Sequence, residues 1–462
     1  MSPGELSDIA VSYLPFTPTT DQFKLIKSLA SFVVSRNPNE VFVLNGYAGT
    51  GKTSVMGAII KAMDKANIKS VLLAPTGRAA KVASRFSSHF SSTIHKRLFR
   101  GNSLDPANSS FYLAENKDND TVFIVDEASL IADGESARTS LLFQLISYVY
   151  SAKGSSLILV GDIAQLPPVG QLESYAMNSD RLRSLGLNPV AFSLTEPIRQ
   201  ASDSGILFNA TIIRKTLFQP ELVDSFKLFT KFPDVTVIES QDTMDSIAHS
   251  WKTVGREETL VITRSNFRAN NINSTVRNII MEAESPLRKG DMLVVSKNDY
   301  FWSKENKLKN FIANGESVEV VSVGKAHKMY GRWFVDVKLK SPDIEKIITA
   351  KIILRSLIAE GPSLPREEME RFYNRVLAKY EGALSQKIKG ALEDPYYNAI
   401  QVKYGYCVTC HKAQGGQWRH VYIDMAGISP DSAGEDFFRW LYTAFTRATE
   451  KIYLIAPQFE IV

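Results

Sequence analysis

The chain runs to 462 residues with 44% hydrophobic and 22% charged residues, the balance of a globular protein of two to four domains with sizeable cores. Lysine and arginine total 54 against 49 acids, and the resulting +5 charge permits a nucleic-acid partner without requiring one. No apolar run is long enough to span a membrane, and Met1 to Phe16 lacks the basic and apolar regions of a secretory signal, so a cytoplasmic setting is the expectation.

Met1 to Pro18 reads as a loose lead-in dotted with proline and serine. A helix then opens at Thr19-Thr20-Asp21-Gln22 and continues through Leu25, Ile26, Leu29 and Phe32, with Thr20 or Asp21 as its cap. Val41-Phe42-Val43-Leu44 reads as a buried parallel strand. It runs into Gly46-Tyr47-Ala48-Gly49-Thr50-Gly51-Lys52-Thr53, which fits G-x-x-x-x-G-K-[ST] at every fixed position. Val55, Met56, Ile59, Ile60 and Met63 follow at helical spacing, so the strand, loop and helix that the motif requires are all present. Such a loop turns its backbone N–H groups toward phosphate oxygens at a helix N-terminus. Lys52 is expected to reach the β- and γ-phosphates of ATP, and Thr53 to hold Mg²⁺. Gln22, ahead of the loop, suits the donor and acceptor edge of adenine.

Ser70 to Ala74 is a second buried strand, ending at Pro75-Thr76-Gly77-Arg78-Ala79-Ala80 and a further helix. Thr76 and Arg78 thus stand where open α/β sheets place their ligands. Thr93-Ile94-His95 follows, and Lys96 to Lys117 is a polar excursion read as a small inserted hairpin or loop. Thr121 to Val125 is an apolar strand delivering Asp126-Glu127. Downstream of a phosphate loop, the first acid suits magnesium and the second suits the attacking water. Ser156 to Val160 leads to Gly161-Asp162-Ile163-Ala164-Gln165, where Gln165 is placed to sense a γ-phosphate. Val190 to Leu194 is a further strand before Glu196-Pro197-Ile198-Arg199-Gln200. Strands alternating with helices imply one parallel sheet covered on both faces.

The pattern restarts at Thr259 to Thr263, with Asn266, Asn270 and Asn271 beyond. It breaks from about Pro286 to Asp394, where Gly290–Val295, Ser317–Val323, Trp333–Leu339 and Ile347–Ile353 read as short strands and Asn314-Gly315 as a hairpin cue. This predicts a small SH3-like β-barrel. Arg366 to Leu392 carries Met369, Phe372, Val376 and Leu377 at helical spacing, a helical arm or a plain surface helix. The α/β pattern returns at Val402. Cys407 and Cys410 with His411 form C-x-x-C-H, a haem or redox pattern in isolation, but they lie inside the longer run Val408-Thr409-Cys410-His411-Lys412-Ala413-Gln414-Gly415. Val421–Ile423 and Ile452–Ile455 are strands flanking a helix that ends in Tyr442-Thr443-Ala444-Phe445-Thr446-Arg447.

In this order the motifs resemble those of superfamily 1 DNA helicases, in particular the RecD/Dda-like branch, superfamily 1B. Gln22 fits the Q motif, Gly46 to Thr53 motif I, Ala74 to Ala80 motif Ia, and Asp126-Glu127 motif II. Asp162 and Gln165 fit motif III, Arg199 motif IV, Thr409 to Gly415 motif V, and Tyr442 to Arg447 motif VI. The resemblance covers nearly the whole chain and implies an α/β fold of two RecA-like P-loop lobes with parallel sheets, plus the inserted SH3-like β-barrel. The implied division is a first lobe at 1–188 with a wedge insert at 96–117, a second lobe at 189–285 and 395–462, and the inserted domain at 286–394.

The same resemblance implies an ATP-dependent helicase that moves 5′ to 3′ on single-stranded DNA and unwinds duplex, using ATP and Mg²⁺. Lys52, Glu127, Gln165, Arg199 and Arg447 would be catalytic, the two arginines entering from the second lobe as fingers. ATP would contact Gln22, Gly46, Ala48, Gly49, Thr50, Gly51, Lys52, Thr53 and Gln414, and the metal Thr53 and Asp126. The strand would lie on Thr76, Arg78, His95, Thr263, Asn266, Thr409, His411 and Lys412, mostly through phosphates. The insert, with Trp302, Lys304, Lys307 and Lys309, would cover it. Single strands and single/double-strand junctions are the expected partners of a monomer, with no membrane. An ATP-switched single-strand binding protein without unwinding stays open as a reading. A P-loop small-molecule kinase is disfavoured, because it has no need of a second α/β lobe with its own arginine motifs.

Overall fold

The computed structural model describes residues 1–87, 89–100, 112–134, 136, 140–196, 203–219, 226–308, 312, 314–341, 344–429 and 434–462. The first lobe carries β1 (Glu40–Gly46), β2 (Lys69–Ala74), β3 (Ser91–Thr93), the short strands β4 (Phe99–Arg100) and β5 (Tyr112–Leu113), then β6 (Thr121–Val125), β7 (Ser156–Gly161) and β8 (Asn188–Leu194). A six-stranded parallel sheet runs in the order β3-β2-β6-β7-β1-β8. Its central strands are apolar through their middles, at Val41–Leu44, Val122–Val125 and Leu157–Val160, because both faces are covered. Phe42, Leu44, Val122, Ile124, Ile158 and Val160 face one core with Leu25, Ile26, Leu29 and Ile59. The alternating Val41, Val43, Phe123, Val125, Leu157 and Leu159 face the other, with Leu142, Leu145 and Val149.

The amino-terminal segment is not loose. Pro3–Ser12 is a helix closed by a Ser2/Glu5 capping box, and Leu6 and Ala10 are buried in the first core. The helix Thr20–Ser35 is capped by Thr19 rather than by Thr20 or Asp21.

The second lobe carries β9 (Lys227–Leu228), β10 (Val235–Ile238) and β11 (Thr259–Thr263). The insert contributes β12 (Met292–Val295), β13 (Ser317–Val323), β14 (His327–Met329), β15 (Arg332–Ser341), β16 (Ile344–Ile353) and β17 (Val402–Tyr404). The chain then returns to β18 (Cys407–Thr409), β19 (Trp418–Asp424), β20 (Ala448–Ile455) and β21 (Glu460–Ile461). The second parallel sheet has the order β10-β20-β19-β11-β18.

The insert is antiparallel, in the order β14-β15-β13-β12-β17 with β16 on the free side of β15. Ile400, just before β17, bridges Ile352 of β16, so the two ends of this sheet meet. Asn314-Gly315 does not close a hairpin, since the link from β12 to β13 contains a helical turn, Phe301–Glu305. The tight turn is Tyr330-Gly331, with φ of +50° and +77°, between Met329 and Arg332, which pair across it. Helices Arg366–Leu377 and Leu384–Leu392 bury Phe372, Val376 and Ala391 against Phe334 and Ile353, which makes them an arm packed on the insert rather than plain surface helices.

Two expected boundaries shift. β8 hydrogen-bonds to β1, so the first lobe runs past 188 to Leu194. β17 hydrogen-bonds to β12, so the insert runs past 394 to Tyr404. Among the described residues, no helix is long and apolar enough to cross a membrane.

Candidate nucleotide cleft and strand path

The phosphate loop leaves β1 and enters the helix Lys52–Lys65 through Gly49 and Gly51, with φ of +73° and +81°, a conformation that a side chain would strain. Lys52 lies back along the loop: a Cβ added to Gly46 would stand 2.4 Å from its Cγ. Its ammonium donates to the carbonyls of Gly46 and Tyr47 and lies 3.9 Å from the Asp162 carboxylate. Gln22 is buried, accepts the Thr19 N–H at 3.0 Å, and donates to the Thr50 carbonyl at 2.9 Å. It therefore ties the first-lobe helix to the loop, and one N–H and one lone pair remain for a base.

β6 ends at the acids. Asp126 is half-buried and accepts the Glu127 N–H at 2.9 Å. Burial, and then the neighbouring Glu127 charge, push its carboxyl up to about 6. Thr53 and Asp126 line the same small cavity beside Ile60 and Ile124. A hydroxyl and a carboxylate fit a hard cation such as Mg²⁺, which completes its shell with waters and phosphate oxygens. Glu127 has φ of +52°, unusual for a residue other than glycine, a strain of about 1–3 kcal/mol of the kind that gathers at active sites. Gln165 is 4% exposed, and its amide oxygen has no partner among the described residues.

Across the cleft, the segment after β7 is gripped by the second lobe. The Leu166 N–H donates to Thr443 Oγ1 at 2.8 Å, and Gln414 donates to the Leu166 carbonyl at 2.6 Å. Ala164 and Leu166 lie in the second-lobe core with Ile423, Phe437 and Leu441. Gln414, expected at ATP, thus spends its amide on the junction between the lobes. Arg447 is 3% exposed and donates to Thr443 O, Gly416 O and Thr446 Oγ1, all in its own lobe. These bonds engage its guanidinium within the second lobe. Arg199 lies outside the described residues. Three second-lobe contacts were not anticipated from sequence. The Tyr442 hydroxyl accepts the Ala48 N–H at 2.9 Å, Arg214 stacks 4.2 Å from the Tyr47 ring, and Arg439 donates to the Ile163 carbonyl. Tyr442 lay inside a recognised motif, whereas nothing in the local sequence marks Arg214.

The strand candidates come from both lobes. Thr76 caps the helix Gly77–Ser87 by accepting the Ala79 N–H at 3.1 Å. Motifs Ia and V touch, since a Cβ on Gly415 would stand 3.0 Å from Thr76 Oγ1. Arg78 lies 4.4 Å over the Trp418 ring and donates to Ser317 of the insert at 2.5 Å, so it joins the first lobe, the second lobe and the insert. β11 and β18 bring Thr263 and Thr409 side by side. Thr409 is half-buried, His411 beside it is exposed, and Lys412 is half-buried, with its pKa lowered by burial. Asn266 is half-buried at the start of its helix, and His95 is exposed.

Thr263 is an exception. It is 1% exposed and donates to Asp424, which Arg268 also grips at 2.8 and 2.9 Å, so its hydroxyl serves the lobe's interior. The base of the expected wedge is the β4–β5 pair. Its tip lies outside the described residues, as does Lys309. Trp302 donates to Asn398 O at 2.8 Å, while Lys304 and Lys307 are exposed. Cys407 and Cys410 are buried free thiols, both pushed up by burial, the latter to about 12.

Residues 20–206 match the AAA domain family, and residues 404–455 match the UvrD-like helicase C-terminal domain family. An ATP-dependent RecD2 DNA helicase of Deinococcus radiodurans is 30% identical over 175 residues, which is 37% of this chain and 21% of that protein. An uncharacterized protein of Acanthamoeba polyphaga mimivirus is 22% identical across 91% of this chain and 96% of its own length. A solved structure of Pif1 helicase from Bacteroides with ADP-AlF3 and ssDNA aligns with a TM-score of 0.48 and 15% identity, over 95% of this chain and 92% of that one.

Proposed function

We propose that this chain, which its two family matches and its RecD2 relative support as a superfamily 1B helicase, is an ATP-driven motor that travels 5′ to 3′ along single-stranded DNA and separates duplex ahead of it. The observation that carries the reading is the crossing at the phosphate loop. Tyr442, Thr443 and Gln414 of the second lobe hydrogen-bond to Ala48 and Leu166 of the first, so a nucleotide on the loop bears on how the lobes sit.

On this reading Lys52 leaves the Gly46 and Tyr47 carbonyls for the β- and γ-phosphates of ATP, stronger acceptors because they are charged. Gly49 and Gly51 let the loop backbone close on those phosphates, and Gln22 offers its remaining N–H and lone pair to adenine. Thr53 and Asp126 would hold Mg²⁺, which neutralises charge on the phosphates. Glu127 takes the proton of the attacking water, and the unpartnered oxygen of Gln165 orients that water. Arg199 and Arg447 complete the site when the cleft closes, Arg447 by giving up its carbonyl partners.

Thr76, Arg78, His95, Asn266, Thr409, His411 and Lys412 grip the strand from both lobes in turn, through phosphates and hence without regard to sequence. The closed antiparallel sheet of the insert acts as the SH3-like barrel that covers the strand, and the β4–β5 hairpin is the root of the wedge. The protein acts as a monomer.

The test is ATP-driven strand separation on matched duplexes with a 5′ or a 3′ single-stranded tail. Unwinding of the 5′-tailed duplex alone is expected. Unwinding from the 3′ tail alone would reverse the polarity, and ATPase stimulated by single strands without separation of either duplex would leave an ATP-switched strand-binding protein.

A further inference from the structure

Tyr442 is 1% exposed on the second-lobe helix Glu435–Phe445, which leads directly to Arg447. Its hydroxyl accepts the N–H of Ala48 in the phosphate loop at 2.9 Å and donates to Asp162 Oδ2 at 2.8 Å. Asp162, 1% exposed, also accepts the Ala164 N–H at 3.0 Å. The Lys52 ammonium, 3.9 Å away, lends it positive charge. Burial raises the pKa of the Tyr442 hydroxyl well above its ordinary value, so it stays protonated and remains a donor. A second-lobe side chain is thus bonded at once to the loop that a nucleotide must occupy and to the acid that shares the loop's lysine.

A bound triphosphate draws Lys52 toward itself. Asp162 then loses the nearby Lys52 cation and leans harder on its hydrogen bonds from Tyr442 and Ala164. We propose that the Tyr442 hydroxyl is a positioning device through which nucleotide occupancy of the phosphate loop sets the second-lobe helix, and with it Arg447, against the first lobe. The proposal rests on the motor reading above. A phenylalanine would keep the ring in the core it shares with Leu441 and Phe445, yet leave the Ala48 N–H and Asp162 Oδ2 each one partner short.

The test compares Tyr442→Phe with the wild type in steady-state ATP hydrolysis, with and without a single-stranded oligothymidylate. The strand-stimulated kcat is expected to fall by about tenfold while KM for ATP moves by less than about twofold, the split that marks loss of an interaction made only on the way to the transition state. In a double-mutant cycle with Asp162→Asn the two losses should fall well short of additive, because one bond serves both residues. An unchanged stimulated kcat would overturn the proposal. So would a raised KM with kcat intact, or full additivity. Should Tyr442→Phe melt early, Asp162→Asn alone is read in the same assay, and a wild-type kcat there overturns the proposal equally. A wild-type protein that no strand stimulates defeats the motor reading itself, an outcome distinct from any difference between variant and wild type.

Discussion

Lys52 rests on two neutral carbonyl acceptors of its own loop, and no other cation lies among the residues of that loop. Lys52→Ala is therefore expected to lower ATP turnover by at least about 100-fold while oligonucleotide affinity changes by less than about threefold. Turnover equal to the wild type would remove the loop from the mechanism. Arg447→Ala should lower kcat by roughly 10³-fold with nucleotide still bound, read by single-turnover hydrolysis beside a fluorescent-nucleotide titration. Loss of nucleotide binding with normal residual turnover would instead make Arg447 a binding residue. Asp299 offers a pH test away from the cleft. It is buried, receives the N–H groups of Trp302 and Ser303, and is raised by burial to about 6. A carboxyl raised on folding opposes the fold when ionised, and this penalty fades as pH falls through about 6. Asp299→Asn should therefore be the more stable protein at pH 8, by up to about 3 kcal/mol in denaturant unfolding, and the gap should close toward pH 5. A gap that widened on acidification would reverse the assignment. The loop, the two acids and Gln165 were legible because each sits at a fixed place in a local motif. The burial of Thr263 against Asp424 and the crossing of Tyr442 to Ala48 were not, since each partner stands far along the chain and only the fold brings them together.

At the level of elements, the buried strands were legible from uninterrupted apolar runs, and the structure adds which side chain faces which core. The expected domain boundaries shifted where pairing in a sheet decides. The division implied by the family resemblance gave residues 189–194 and 395–404 to the second lobe, but backbone pairing gives β8 to the first sheet and β17 to the insert. The hairpin cue also misled: Asn314-Gly315 is the stronger pattern, while the two-residue turn is Tyr330-Gly331, with a tyrosine in a conformation it rarely adopts. The helical arm was left open between two readings, and the burial of Phe372 against Phe334 and Ile353 decides between them. Phe372→Ala is accordingly expected to destabilise the insert by about 3–5 kcal/mol in denaturant unfolding, whereas a surface helix would lose well under 1 kcal/mol, about what an exposed substitution costs.

Over the whole molecule the two lobes are unequal in how far apart along the chain their partners lie. The first sheet closes within residues 40–194, whereas β11 must find β18 and β19 after the entire insert has been made. Loop closure over that span is slow. Pulse-labelled hydrogen exchange during refolding should therefore protect the amides of β1, β6 and β7 before those of β11 and β19. Simultaneous protection would mean that the shared core around Leu166 forms both lobes as one unit. The two-lobe plan was legible from the order of the motifs, but the shared core was not, because Ala164 and Leu166 look like ordinary loop residues. The insert leaves the second lobe shortly after β11 and comes back as β18, and these two strands are neighbours, with β18 on the sheet's edge. Departure and return at adjacent points make the insert a cassette. Its covalent ties are thus confined to one edge of the second sheet, while its core runs on into Val261, Tyr422 and Ile455 of the second lobe.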